Sequence, residues 1–454
     1  MMKNERKSGV LLPLFSLPGR YGIGTLGRGA RDFLDTIAAA GFTLWQTLPF
    51  CPPDGYGSPY AGKSSFAGDT DLLDPLLMVE AGLLTREEAE GLILPEGDFL
   101  DRAALHGKRE MLGRAALRAD RAALDAFLDE NPDIAAYCRL YTEREGTDFY
   151  CEAALQQEFF REWHALTDYA HSLGIEVVGD LPIYSSQGSY DIGAYPDAFL
   201  LGDAVAGAPP DAFSPEGQSW GTPLYDYNRI REGGYLYPTA RLSFLLRHFD
   251  GVRLDHFRGY SAYFAVPAGK SPAEGEWREG PGQALFDALA PYTAGRTVIA
   301  EDLGAVDEAT ERLRCDNGFL STRVLQFAFL GDPNSPHLPH NCGADAALYS
   351  GTHDNPPLRA YLAMMPEGER GYLYRYCGVV GGEDPVRRIL DTLLGSGARL
   401  AVFPLCDLLG EGEEARINTP GRAEGNWRRR VTDAALASLD TEDLLFRNRL
   451  YGRK

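Results

Sequence analysis

"GVRLDHFRG", residues 251–259, begins as a strand and ends as chemistry. Its apolar start has the character of a segment buried within a sheet, yet Arg253, Asp255, His256 and Arg258 crowd its second half. Unpaired charge in a protein interior is costly, so such a cluster needs partners or a task. Alone, the stretch reads equally well as a strand end whose Asp caps the helix that follows. The choice turns on whether other segments share its shape.

They do. "SGVLLPLFSLPG" (8–19), "FTLWQTLPF" (42–50), "GIEVVGDLPIY" (174–184), "RTVIAEDLG" (296–304), "TRVLQFAF" (322–329), "ALYSGTHDN" (347–355) and "RLAVFPLCDLLG" (399–410) each run from apolar residues into abrupt polarity. Most are continuous apolar runs rather than alternating ones, as strands of a buried parallel sheet are. Helical patterns lie between them, among them "ARDFLDTIAAAG" (30–41), "EFFREWHALTDYAHSLG" (158–174) and "PGQALFDALAPY" (281–292), with Gly41 and Gly174 where helices stop. Eight such alternations specify an α/β fold, the (β/α)8 TIM barrel. We expect one catalytic barrel domain over 1–454 carrying two insertions. Residues 60–155, after strand two, read as mostly helical, with Ala/Leu/Arg/Glu periodicity in "REMLGRAALRADRAALDAFLDE" (109–130). Residues 185–240, after strand three, are rich in Gly, Pro, Tyr and Asp, and read as ordered loops with little regular structure, forming part of a substrate cleft. Both leave the barrel at the carboxyl ends of strands, the face where barrel enzymes keep their active sites.

With 454 residues, 44% of them hydrophobic, the chain can bury a large core. Asp and Glu number 65 against 44 Lys and Arg, a net charge of −21 that repels phosphate backbones and anionic membranes but leaves neutral substrates unaffected. Nucleic acid and membrane are therefore excluded as partners. The apolar run "VLLPLFSL" near the start is short, is broken by Pro13 and lacks a small-residue cleavage site, and no other run has the length to cross a bilayer. Seven cysteines without a C-x-x-C pair fit free thiols in a reducing compartment, so a cytoplasmic location is expected. "HLPHNC" offers His337, His340 and Cys342, but Pro339 keeps the two histidines off a common helix face, and no metal is expected there.

On a barrel the polar strand endings converge on one mouth. Strand three brings Asp180, strand four Arg253, Asp255 and His256, strand five Glu301 and Asp302, and strand seven His353, Asp354 and Asn355. Arg253, two residues before Asp255, points to the same side of the strand and can hold that carboxylate ionised. Two carboxyls in different environments can divide the work of glycosidic bond cleavage. Asp255 is the candidate nucleophile. Glu301, after the apolar "TVIA", is the candidate proton donor, and Asp354, between His353 and Asn355, is suited to grip sugar hydroxyls. Spacing alone leaves an acid–base site of another chemistry open. Of the loop aromatics Tyr56, Tyr60, Tyr184, Tyr190, Tyr195, Trp220, Tyr225 and Tyr227, most are expected to build the loops' own small cores. Tyr60 and Trp220, with Gly and Ser neighbours, are the expected sugar platforms.

These motifs together resemble glycoside hydrolase family 77 of the α-amylase clan, the 4-α-glucanotransferases called amylomaltase or disproportionating enzyme. The matching stretches include "GRYGIGTLG", "WQTLPF", "GYGSPYAGKSSFAGD", "GDLPIY", "GAPPDAFSPEGQSWGTPLYDY", "VRLDHFRG", "VIAEDLG", "LQFAF", "LPHN", "GTHDN" and "ARINTPGRAEGNW", in order from residue 19 to residue 427. The resemblance implies a retaining mechanism with Asp255 as nucleophile, Glu301 as acid then base, and Asp354 fixing a distorted sugar. It implies sugar-contacting and charge-setting positions at Asp180, Arg253, His256 and His353, and loop positions over the substrate at Tyr60, Gln218, Trp220 and Asn418. It also implies maltooligosaccharides and other α-1,4-glucans as partners, no cofactor, and a lid at 207–221. The sequence departs from the family pattern at Pro356-Pro357, at "SSQGSYD" after strand three, and in its shortness over about 360–400. Rival readings are an α-glucan hydrolase with the same three carboxylates, a glucan-binding barrel that has lost catalysis, and a phosphate-handling isomerase. Retention of all three carboxylates opposes the second, and "GTHDNPP" is a poor phosphate cradle, which opposes the third.

Overall fold

The structure, a computed structural model, describes residues 5–210, 215–304, 306–422 and 424–453. Eight parallel strands close a barrel: β1 (Lys7–Leu11), β2 (Leu44–Gln46), β3 (Glu176–Leu181), β6 (Gly251–Leu254), β9 (Thr297–Ala300), β10 (Leu320–Val324), β11 (Ala346–Tyr349) and β12 (Leu400–Pro404). Each neighbours the barrel strand before it in the chain, and β12 pairs with β1 to complete the ring. Their side chains are almost all buried, which accounts for the continuous apolar runs in the sequence. The expected helix ends at Gly41 and Gly174 hold: both take positive φ, 82° and 74°, directly after helices Arg28–Ala39 and Phe149–Ser172.

The strands are shorter than the apolar runs. β2 covers only 44–46 of the run 42–50, and β12 gives way at Leu405 to a short helix, Leu405–Leu409. Hydrogen-bond ladders stop at the barrel rim while apolar side chains stay buried beyond it, so burial patterning overstates strand length. The helical periodicity of 109–130 is two helices, His106–Ala116 and Arg121–Glu130, the second capped by Asp120. The helix Phe149–Ser172 runs unbroken through residue 155, so the barrel's own helix and the insertion are continuous there.

Residues 185–240 hold more regular structure than their composition indicated. β4 (Phe199–Ala208) and β5 (Gln218–Tyr225) pair antiparallel, and β4 also pairs with β7 (Ala262–Pro267), which pairs with β8 (Glu276–Glu279). The sheet order is β5-β4-β7-β8. Half of this sheet comes from the chain after β6, and pairing partners so far apart in sequence leave no local turn signature. Of the expected lid, 211–214 lie outside the described residues, while 218–221 belong to β5. No helix among the described residues is long and apolar enough to cross a membrane.

Candidate active site

The barrel register places the acidic residues. Asp180 of β3 lies opposite Arg253 of β6, and Leu254 lies opposite Ala300 of β9. The residues that follow, Asp255 and Glu301, therefore emerge side by side at one rim. They open into a cleft of about 680 Å³ that also takes Tyr60, Gln218, Trp220, His256, His353, Asp354 and Asn418 as lining. Nine of the eleven site residues that the resemblance implied thus meet in one cavity. The other two, Asp180 and Arg253, lie buried beneath its floor rather than at the rim.

Arg253 organises that floor. Its Nη1 donates to both oxygens of Asp180 at 3.0 and 2.8 Å and to Oδ1 of Asp255 at 3.0 Å, and its Nη2 stands 4.0 Å from Oε2 of Glu301. The Tyr60 hydroxyl donates to Asp180 at 2.6 Å. Asp180 thus accepts from Arg253 through both oxygens and from Tyr60 through one, which ties it into the ion pair of the floor. Burial pushes the Asp180 carboxyl up to about 7 in spite of Arg253. The guanidinium stays charged: burial works against it, but Asp180, Tyr60, Asp255 and Glu301 hold it well above its ordinary value.

Glu301 differs from Asp255. Burial pushes the Glu301 carboxyl up to about 8, with the Asp255 charge adding to the effect and Arg253 opposing it. It is therefore mostly protonated at neutral pH, as a general acid must be. Its Oε2 accepts the backbone N–H of His256 at 2.8 Å. To aim that N–H, His256 adopts φ of 44°, a left-handed conformation strained for a non-glycine residue. Burial holds the His256 imidazole down to about 4, so it is neutral. The ring meets Trp220 edge-on at 4.8 Å, and the Trp220 indole donates to Gln218 Oε1 at 3.0 Å.

The opposite wall comes from the loop after β11. Asp354 is half-exposed; its Oδ1 accepts from Asn418 Nδ2 at 2.5 Å and stands 3.4 Å from His353 Nε2. Asn418 also donates its backbone N–H to the His353 carbonyl at 3.0 Å, which locks the two loops together. His353 is buried, and that burial lowers its basicity. It stacks on Tyr60, with ring centroids 5.0 Å apart and planes 15° from parallel.

Three expectations need correction. Asp302 does not join the cleft: its oxygens accept from Ser321 and Thr322 and face Arg314 and Arg323, because alternation along the chain turns it away from Glu301. Asn355 closes its own loop by accepting from Thr352 instead of flanking a sugar. Tyr56, expected in a loop core, is exposed and lines the cleft, whereas Tyr184 is buried against Tyr225 as expected and also edges the cleft beside Trp220 at 6.2 Å. Tyr190 and Tyr195, by contrast, do bond to Glu145 and Asp133 of the helical insertion, away from the cleft. His337 accepts from the Val324 N–H while His340 pairs with Tyr376, so the two histidines turn to different partners. Among the cleft residues to which sequence reasoning gave no role is Trp427. Trp427 packs against both Tyr60 (5.8 Å) and His353 (5.9 Å) with φ of 59°, and neither periodicity nor a charge pattern marks it.

Known proteins share this fold. The family model for glycoside hydrolase family 77, described as 4-alpha-glucanotransferase, matches residues 12–151 and 136–436. The 4-alpha-glucanotransferase of Aquifex aeolicus is 37% identical over 468 residues, covering 94% of this chain and 96% of its own. The chloroplastic/amyloplastic enzyme of Solanum tuberosum is 35% identical, covering 99% of this chain and 87% of its own. The amylomaltase of Streptococcus agalactiae, solved in complex with acarbose, superposes with a TM-score of 0.94 at 29% identity, covering 99% of this chain and 100% of that one. The fold is thus that of a known kind of enzyme, and the chain belongs to glycoside hydrolase family 77, the 4-α-glucanotransferases.

Proposed function

We propose that this protein moves α-1,4-glucan segments from a donor maltooligosaccharide to the 4-hydroxyl of an acceptor glucan or glucose, by a retaining double displacement. Asp255 attacks the anomeric carbon while Glu301 gives its proton to the departing glycosidic oxygen, leaving a glycosyl ester on Asp255. The acceptor 4-hydroxyl then attacks the same carbon, Glu301 takes its proton, and Asp255 leaves as a carboxylate. Asp354 holds the distorted ring of the bound sugar, with Asn418 and His353 steadying it. Tyr60 and Trp220 serve as stacking platforms, and Gln218 and His256 as hydroxyl partners.

The observation that carries this reading is the unequal environment of two neighbouring carboxyls. Asp255 reaches into the cleft with one oxygen held by the Arg253 guanidinium at 3.0 Å, whereas burial keeps the Glu301 proton in place. Transfer in preference to hydrolysis asks for an acceptor subsite with little water, and the aromatic side of the cleft formed by Tyr184 and Trp220 is where such a subsite fits.

Incubation with maltotriose, following free glucose, longer oligosaccharides and reducing ends, tests the reading. A ladder of longer products without net gain in reducing ends, abolished by Asp255→Asn, is expected. A steady rise in reducing ends without the ladder would make the enzyme a hydrolase.

A further inference from the structure

Behind the cleft lies a fully charged side chain that the mechanism does not use. Arg241, on the helix Leu236–His248, is only 5% exposed. Its hydrogen-bond partners among the described residues are neutral oxygens: Nε donates to Ser65 Oγ at 2.9 Å, Nη1 to the Ile183 carbonyl at 3.0 Å and the Tyr225 hydroxyl at 2.8 Å, and Nη2 to the Pro182 carbonyl at 2.8 Å. The Tyr225 hydroxyl in turn donates to the Ile183 carbonyl at 2.8 Å, closing a triangle. The nearest negative charge acts at one remove. Asp191 accepts from the Ser65 N–H and from the Tyr237 hydroxyl, and the Tyr237 ring faces the guanidinium at 5.5 Å.

A buried cation is an expensive way to hold three loops unless their relative position matters. The three segments it ties are the walls of the cleft. Ser65 ends the loop that carries Tyr60; Pro182 and Ile183 precede Tyr184 and themselves line the cleft; Tyr225 ends β5, whose other end carries Gln218 and Trp220. The fork geometry of a guanidinium suits this task, since its rigid donors reach separate acceptors in fixed directions.

From this we infer that Arg241 is a positioning residue, which sets the separation between the Tyr184 wall and the Trp220 platform and thereby the partition of the glycosyl-enzyme between a sugar acceptor and water. The inference rests on the transfer reading given under Proposed function. Loosening the clamp lets water into the acceptor side while leaving Asp255, Glu301 and Arg253 in place. The first chemical step is therefore preserved and the second changes its preference.

The test compares the wild type with Arg241→Lys, Arg241→Met and the milder Tyr225→Phe, which frees β5 from the clamp without removing the buried charge. Three quantities are read: the burst of fluoride from α-maltotriosyl fluoride, the ratio of hydrolysis to transfer on maltotriose, and the thermal midpoint. In Tyr225→Phe and Arg241→Lys the ratio is expected to rise, by about 10-fold for a displacement approaching 1 Å, with the fluoride burst within about 3-fold of wild type. Arg241→Lys keeps the charge, so its thermal midpoint stays closer to wild type than that of Arg241→Met, yet its point charge cannot restore the fork. A fall in transfer and hydrolysis by the same factor in both folded variants overturns the inference, as does full recovery of the wild-type ratio in Arg241→Lys. A wild type that makes no ladder sinks the transfer reading instead, and the two failures are thereby told apart.

Discussion

At the scale of single residues, the site is an arrangement of carboxyls around one guanidinium, and its behaviour follows from which of them keeps a proton. In the proposed mechanism Glu301 acts as acid only while protonated, and burial pushes it up to about 8. The sign is direct: kcat/KM holds below that pH and falls as pH rises through it, and Glu301→Gln, which cannot ionise, removes the limb together with most of the activity. A pH–rate profile that stays flat to pH ~10 would remove Glu301 from the role of acid. Arg253 carries the structural counterpart. Arg253→Met leaves Asp180 buried against Tyr60 alone, and removal of one partner of such a pair costs about 3–5 kcal/mol of stability, measurable by denaturant unfolding. Had the pair been exposed, the cost would fall below about 1 kcal/mol. Arg253 and Asp255 were legible in sequence because an Arg two residues before an Asp shares its side of a strand. Trp427 was not, because its place in the cleft depends on a left-handed backbone and on contacts with Tyr60 and His353 from distant loops.

At the scale of elements, the helices Phe149–Ser172 and Leu236–His248 meet through a pair of histidines. His164 Nε2 and His248 Nδ1 are 2.9 Å apart, the rings stack at 5.1 Å, and Phe160 and Phe244 enclose His248. Burial lowers the basicity of both, His248 to about 3; His164 acts further to lower His248 and Arg247 does the same, while Asp168 works the other way on His164. A histidine depressed in the folded state binds fewer protons there than when unfolded. The stability it contributes is therefore present above the unfolded value of about 6.5 and is lost as pH falls from there toward the folded value. His248→Phe should narrow the difference in thermal midpoint between pH ~7 and pH ~5 relative to wild type, and an unchanged difference would show the pair to be inert. The glycine-rich entry "GRYGIGTLG" has an equally local reason. A Cβ on Gly24 would stand 2.1 Å from the Leu14 carbonyl oxygen, so Gly24→Ala must displace backbone and should lower stability by about 1–3 kcal/mol. A glycine needed for a turn alone would tolerate that change better. The sequence marked this stretch by its resemblance, but the crowding that demands glycine is visible only once Leu14 folds back over it.

At the scale of the molecule, a net charge of −21 surrounds a cleft meant for neutral sugars. Long-range steering cannot help an uncharged substrate, so kcat/KM on maltotriose should change less than about 2-fold between ~0.05 and ~0.5 M salt. A steep dependence would point to a charged substrate. The sequence by itself determined the barrel, since eight buried parallel strands need continuous apolar runs and those runs are written in order along the chain. It also put Asp255 and Glu301 at the mouth, because each directly follows the last residue of a barrel strand, while Asp354, five residues past the end of β11, was marked by its motif. Tertiary structure alone decided the rest. The sheet β5-β4-β7-β8 joins strands from either side of β6, so no local pattern could announce it. Asp180 and Arg253 went beneath the floor, Asp302 turned away from the cleft into a buried pairing with Arg314 and Ser321, and Arg241 came to hold three walls at once, because each depends on which distant chain fills the space beside it. Local chemistry sets where a strand ends. Only packing sets what its end will face.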